Sequence, residues 1–131
     1  NDLVSKAGGV FARYGGEEFI AAIREAEPGD AAQLAEAMRE AVERVLPPML
    51  DSDDAGITTS IGLALSTAGA SLRRDDLIEA ADAALYSAKR AGRNRVEQAE
   101  VGAPVRLSAG RRSTSRPCSF SIQKSCHRPA R

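Results

Sequence analysis

Residues 13 to 19 read Arg13-Tyr14-Gly15-Gly16-Glu17-Glu18-Phe19, and this stretch constrains the fold more than any other. Two glycines stand between two apolar runs, Gly9 to Tyr14 and Phe19 to Ile23. Glycine takes a positive φ without steric cost, so Gly-Gly between strand-like runs predicts a tight β-hairpin. Two carboxylates, Glu17 and Glu18, follow at once. Adjacent acids on a hairpin tip repel each other unless a cation sits there. Mg²⁺ prefers carboxylate oxygens and shares them with substrate phosphates. The stretch therefore reads as a metal and phosphate site on a β-turn, beside the plainer reading of a solvated acidic turn.

The rest of the body supplies helices and strands to pack on that hairpin. Asn1 to Gly9 is polar, a helix end or a loop. Val10 to Tyr14 and Phe19 to Ile23 are the paired strands, the second apolar enough to lie inside a sheet. Glu27 to Asp30 forms a turn in which Asp30 is placed to cap the next helix. From Ala31 to Leu46 the apolar residues Leu34, Met38, Val42 and Val45 recur at helical spacing, and Pro47-Pro48 should stop that helix. Asp51 to Gly56 is a polar loop, and Ile57 to Leu65 is a β-branched strand. After a loop over Gly69 to Arg74, a second helix begins at Asp75 or Asp76. Asp76 and Glu79 have the spacing of a capping box there. Its inner stripe is Leu77, Ala81, Ala84, Leu85 and Ala88, and Gly92 ends it. Arg95-Val96-Glu97 reads as a last short strand.

At the end of the second helix, Lys89 and Arg93 stand four residues apart, a spacing that shares one helix face. Two readings stay open on these residues alone. They can complement the helix macrodipole, or they can hold an anion such as phosphate. Arg13, just before the turn, is placed to pair with a nearby acid.

Three segments, in order, resemble the GGDEF family, the diguanylate cyclases. These are Arg13-Tyr14-Gly15-Gly16-Glu17-Glu18-Phe19, Thr59-Ser60-Ile61-Gly62-Leu63-Ala64, and Ala81 to Arg95 with its Gly92-Arg93-Asn94 end. The resemblance covers about residues 10 to 97. It implies an α+β fold, α/β in composition, with helices packed on a mainly antiparallel, palm-like sheet that is incomplete at its N-terminus. It also implies that two GTP molecules are condensed into cyclic di-GMP with release of pyrophosphate. Mg²⁺ would be the cofactor, a homodimer the working assembly and the cytoplasm the location. By the same resemblance Glu17 is a metal ligand that assists deprotonation of the attacking hydroxyl, and Glu18 completes the metal environment. Gly15 and Gly16 let the nucleotide approach, Lys89 and Arg93 hold the β and γ phosphates, and Phe19 anchors the core. Asp82 and Tyr86 match the pattern in structural roles. The family's inhibitory product site is an Arg-x-x-Asp. Its positions are filled here by Lys6 and Gly9, so product inhibition through that site is not expected.

The family's domain is larger than this stretch. Its first metal-binding aspartate and its guanine-reading residues are expected upstream of Asn1, where a chain with no initial methionine would continue. On that reading the 131-residue chain is by itself inactive. The alternative is a truncated or degenerate module that binds a nucleotide or a protein partner without turnover.

Composition divides the chain at about residue 98. The net charge is zero, yet no acid follows Glu100, while Arg106, Arg111, Arg112, Arg116, Lys124, Arg128 and Arg131 are basic. Residues 1 to 100 are then acidic by the same amount, which argues against nucleic-acid binding by the folded part. Residues 99 to 131 read as a basic tail too poor in apolar side chains to offset ordering entropy, and disorder is expected. Both cysteines, Cys118 and Cys126, fall there at no recognisable zinc spacing, even with His127 adjacent. No apolar run approaches the roughly 20 residues of a membrane helix.

Overall fold

A computed structural model describes residues 2–24, 28–49, 57–66, 73–101 and 120–127. Among these residues three helices and five strands follow one another as α1 (Asp2–Lys6), β1 (Val10–Gly15), β2 (Glu18–Ile23), α2 (Pro28–Met49), β3 (Thr58–Ser66), α3 (Arg74–Arg90), β4 (Val96–Val101) and β5 (Phe120–His127). The strands form one sheet in the order β1-β2-β5-β3-β4. The pairs β1–β2, β2–β5 and β3–β5 are antiparallel, and β3–β4 is parallel. The fold is thus α+β with a mixed sheet.

Side-chain alternation along β3 decides which helix covers which face. Ile61, Leu63 and Leu65 join Ala21 and Ile23 of β2, Ala31, Ala35 and Met38 of α2 and Val4 of α1 in one core. The intervening Gly62 faces α3. A Cβ on Gly62 would run into the Ala81 carbonyl and the Leu85 backbone. The glycine is what lets α3 lie directly on the strand. The buried stripe of α3 is Ala81, Ala84, Leu85 and Ala88, and its three alanines suit so close an approach.

The helices differ in detail from the sequence reading. Helix α2 starts at Pro28, whose fixed φ suits the first turn. Asp30 therefore lies inside the first turn, where its charge favours the helix N-terminus, instead of capping it. Pro47 and Pro48 fall in the last turn and the helix stops just beyond, at Met49, because missing N–H groups forfeit only its final bonds. Ala31, Ala35, Met38 and Val42 are buried along α2, and Leu34 packs at the edge of the core. The side chain of Val45 is outside the described set. At α3 the cap is Arg73, and its backbone N–H donates to Asp76 Oδ2 at 3.1 Å. Asp76 is thus the returning partner of a capping box, not its first member.

Strand β5 corrects the expectation of a structureless tail. Phe120–His127 lies between β2 and β3, paired with β3 along its length and with β2 from Phe120 to Ser125. Backbone ladders on two sides order this segment, and composition carries no trace of them. The remainder of the expected tail lies outside the described residues, as do the loop read over 51–56 and residues 69–72 of the loop read over 69–74, whose Arg73 and Arg74 instead cap and open α3. Strand β4 runs to Val101 and so crosses the boundary drawn at residue 98.

Candidate functional site

The hairpin turn is one residue further on than the glycine pair implies. Arg13 pairs with Phe19 and Gly15 with Glu18, so Tyr14 is the extra residue of a bulge and Gly16-Glu17 is the two-residue turn. Gly16 has φ of 51° and Glu17 does not have a positive φ, the φ pattern of a II′ turn that matches strand twist. Arg13 does not pair with an acid. Its Nε and Nη2 donate to the Gly16 carbonyl at 2.9 and 2.6 Å. The guanidinium fork thereby staples the turn from within the hairpin.

This register separates the two carboxylates. Glu17 stands exposed at the tip. Glu18 opens β2, half-buried, with its Oε1 3.9 Å from Lys89 Nζ. Lys89 comes from the last turn of α3, so the structure joins the hairpin to the helix end. Behind the turn, Phe19 stacks on Phe11 with ring centroids 5.4 Å apart, a diagonal cross-strand pair that steadies the hairpin.

Beyond α3 the chain turns sharply. The N–H of Ala91 donates to the Ser87 carbonyl and that of Arg93 to the Ala88 carbonyl, both at 2.9 Å. The second is the long bond of a Schellman motif with Gly92 in the left-handed position. The left-handed path then continues: φ is 112° at Gly92, 63° at Arg93 and 46° at Asn94. Two successive non-glycine residues in that region cost on the order of 1–3 kcal/mol each and persist only where the surroundings hold them. Arg93 is exposed.

Those surroundings are a polar cluster on α2. Arg39 Nη1 donates to Asn94 Oδ1 at 2.9 Å, and Asn94 Nδ2 donates to Glu43 Oε1 at 3.1 Å. Arg39 also holds Glu36 and Glu43, each at 2.7 Å. The Arg39 side chain is only 14 % exposed. Hydrogen bonds from Arg39 and then Asn94 hold the Glu43 carboxyl below its ordinary value of 4.5. The Glu36 and Glu43 hydrogen bonds raise Arg39 in turn. In the sequence Asn94 stands out only as part of the Gly92-Arg93-Asn94 motif, and nothing marks Arg39.

Along α3 a groove of about 340 Å³ is lined by Glu79, Asp82, Ala83, Leu85, Tyr86 and Lys89. Glu79 and Asp82 make much of its length acidic, and Lys89 is the cation in its lining. Arg90 lies over the Tyr86 ring, 5.9 Å from its centroid. Among the described residues no group of three or more His, Cys, Asp or Glu side chains is arranged to hold a metal ion. Among those residues, no helix is long and apolar enough to cross a membrane.

An acidic hairpin turn thus meets a basic helix end, on a mixed sheet packed with helices. The chain belongs to the GGDEF family: the profile described as "Diguanylate cyclase, GGDEF domain" matches residues 1–95. It is 42 % identical over 85 residues to diguanylate cyclase DosC of Escherichia coli, covering 65 % of this chain and 18 % of the relative. It is 41 % identical over 90 residues to the bifunctional diguanylate cyclase/cyclic di-GMP phosphodiesterase MucR of Pseudomonas aeruginosa, covering 68 % and 13 %. Diguanylate cyclase A of Treponema denticola is 37 % identical over 93 residues, covering 71 % and 24 %. The chain thus spans less than a quarter of the length of these relatives.

Proposed function

We propose that this chain carries the catalytic turn and the phosphate-binding helix end of a diguanylate cyclase. The observation that carries the reading is the meeting of Glu18 with Lys89, which brings the acidic turn and the basic helix end into one place. Each of two GTP molecules, one on each half of a homodimer, offers its 3′-hydroxyl to the α-phosphate of the other. Two such attacks form cyclic di-GMP and release two pyrophosphates. The sheet is assigned the palm-like arrangement of nucleotide cyclases, and the reaction is assigned to the cytoplasm.

The residues divide the work by position. Glu17, exposed at the tip, would hold the metal ion and help take the proton of the attacking hydroxyl. Glu18 orients Lys89 and completes the acidic side of the metal environment. Lys89 and Arg93 hold the β and γ phosphates, so catalysis is chiefly positioning and charge stabilisation. A Cβ added to Gly15 or Gly16 would meet no atom within 4 Å. Internal packing therefore does not demand Gly15, and room for a nucleotide is the reading that does.

The donor set suits Mg²⁺ held jointly by protein and substrate. Two carboxylates with phosphates and water are its usual partners, whereas a closed protein cage would need more ligands. When bound, the ion would neutralise charge on the phosphates. The inhibitory-site reading has support as well. A Cβ at Gly9 would lie 2.8 Å from both the Ala22 carbonyl and Val4 Cγ1, so this backbone has no space for the family's aspartate.

Calorimetric titration of the 131-residue chain with GTP and Mg²⁺ tests the phosphate assignment. Lys89→Ala and Arg93→Ala should each weaken GTP by about tenfold, the scale of a lost charge-assisted bond, and leave guanosine unchanged. Unaltered GTP affinity in both variants would remove the assignment.

A further inference from the structure

We propose that Asn94, clamped by Arg39 and Glu43 of α2, is a positioning residue that sets the direction of Arg93 toward phosphate. The proposal rests on the reading of Arg93 as a phosphate ligand and adds what makes that ligand work.

Arg93 lies on a turn, not within α3, so the helix does not aim its side chain. Its direction follows from the backbone of residues 92 to 94, all in the left-handed region. One end of that turn is tied to α3 through the Arg93 N–H and the Ala88 carbonyl, 2.9 Å apart. The other end enters β4, where the Arg95 carbonyl accepts from the Ile61 N–H at 2.9 Å. Between them, the only side-chain hydrogen bonds from the turn to another element among the described residues are those of Asn94, which uses both halves of its amide.

The chemistry of that tie is specific. The Asn94 carbonyl oxygen accepts from Arg39 and its amide nitrogen donates to Glu43. Arg39 joins the same Glu43 at 2.7 Å, which closes a three-membered ring of polar contacts. An aspartate at 94 would repel Glu43, and an aliphatic residue would satisfy neither partner. Asparagine also tolerates the left-handed region better than most residues. One side chain thus meets the backbone requirement and the charge pattern together.

The guanidinium of Arg93 itself has no hydrogen bond or ion pair among the described residues. A cation presented by a braced turn and left unpaired is suited to an incoming anion. Bracing lowers the ordering cost of binding, since less freedom remains to be lost.

The test is a double-mutant cycle on the 131-residue chain, with inorganic tripolyphosphate as the probe and calorimetry as the readout. Arg93→Ala should weaken tripolyphosphate by about tenfold. Asn94→Ala should weaken it by about fivefold, because it acts through Arg93. The double variant should be no weaker than Arg93→Ala alone, since groups acting as one unit are not additive. Asn94→Gly permits the left-handed backbone without the clamp and should fall between the parent and Asn94→Ala. It also covers the case in which Asn94→Ala does not fold. Full multiplication of the two losses in the double variant, or parent affinity in Asn94→Ala, would overturn the positioning role while the phosphate site stands. Parent affinity in Arg93→Ala would overturn the phosphate reading, and the positioning role with it.

Discussion

Glu18 Oε1 lies 3.9 Å from Lys89 Nζ, joining the start of β2 to the last turn of α3. Both side chains are about a third exposed, at 38 % and 32 %. An ion pair that long and that wet contributes little to stability. Its value is in where it holds the lysine. Glu18→Gln should therefore shift the urea midpoint by no more than about 0.5 kcal/mol of stability, while weakening Mg²⁺-dependent GTP binding several-fold. A large stability loss with unchanged binding would make the pair structural.

Arg13 is the residue that fixes the turn on which Glu17 stands. Both of its bonds go to the Gly16 carbonyl. Arg13→Lys keeps the charge but loses the fork, and amide exchange at Gly16 and Glu17 should speed up while the protection of β3 is unchanged. Equal exchange at the turn in variant and parent would show that the staple is dispensable.

Gly62 governs how closely α3 can lie on β3. Gly62→Ala places a methyl group against the backbone at Ala81 and Leu85, neither of which is a movable side-chain end. Overpacking of this kind should cost about 3 kcal/mol, read as a lower denaturation midpoint. It should also displace Lys89, which rides on the same helix. A midpoint within error of the parent would contradict the close-approach argument.

The clamp on α2 has a pH signature. Glu43 has a carboxyl pKa lowered in the folded state by Arg39 and Asn94. Its contribution to stability is therefore present above the ordinary carboxyl value of 4.5 and is lost as pH falls through the lowered folded value. Urea midpoints measured from pH 6 down to about pH 3 should fall in the parent, and part of that fall should be missing in Glu43→Gln. Parallel curves for the two proteins would show that Glu43 is not linked to folding.

Much of this was legible in the sequence because it is written locally. The apolar run at Phe19–Ile23, the alanine-rich stripe of α3 and the glycine pair each specify their own element. Long-range facts were not legible. Asn94 meets partners 51 and 55 residues away, on a helix face that reads as ordinary solvated charge. Strand β5 is held by backbone ladders to β2 and β3, and such pairing leaves no mark in a polar segment such as Phe120–His127. The exact turn also escaped, because the bulge at Tyr14 shifts the register and gives Glu17 and Glu18 different surroundings.

Formation of cyclic di-GMP from GTP and Mg²⁺ tests the central claim most directly, using the native gene product that carries this stretch and its Glu17→Ala variant. The account predicts product from the parent and a loss of about a hundredfold or more in the variant, the scale of a removed transition-state stabiliser. Equal rates in the two proteins would contradict the assignment of Glu17, and no product from either would contradict the cyclase reading itself.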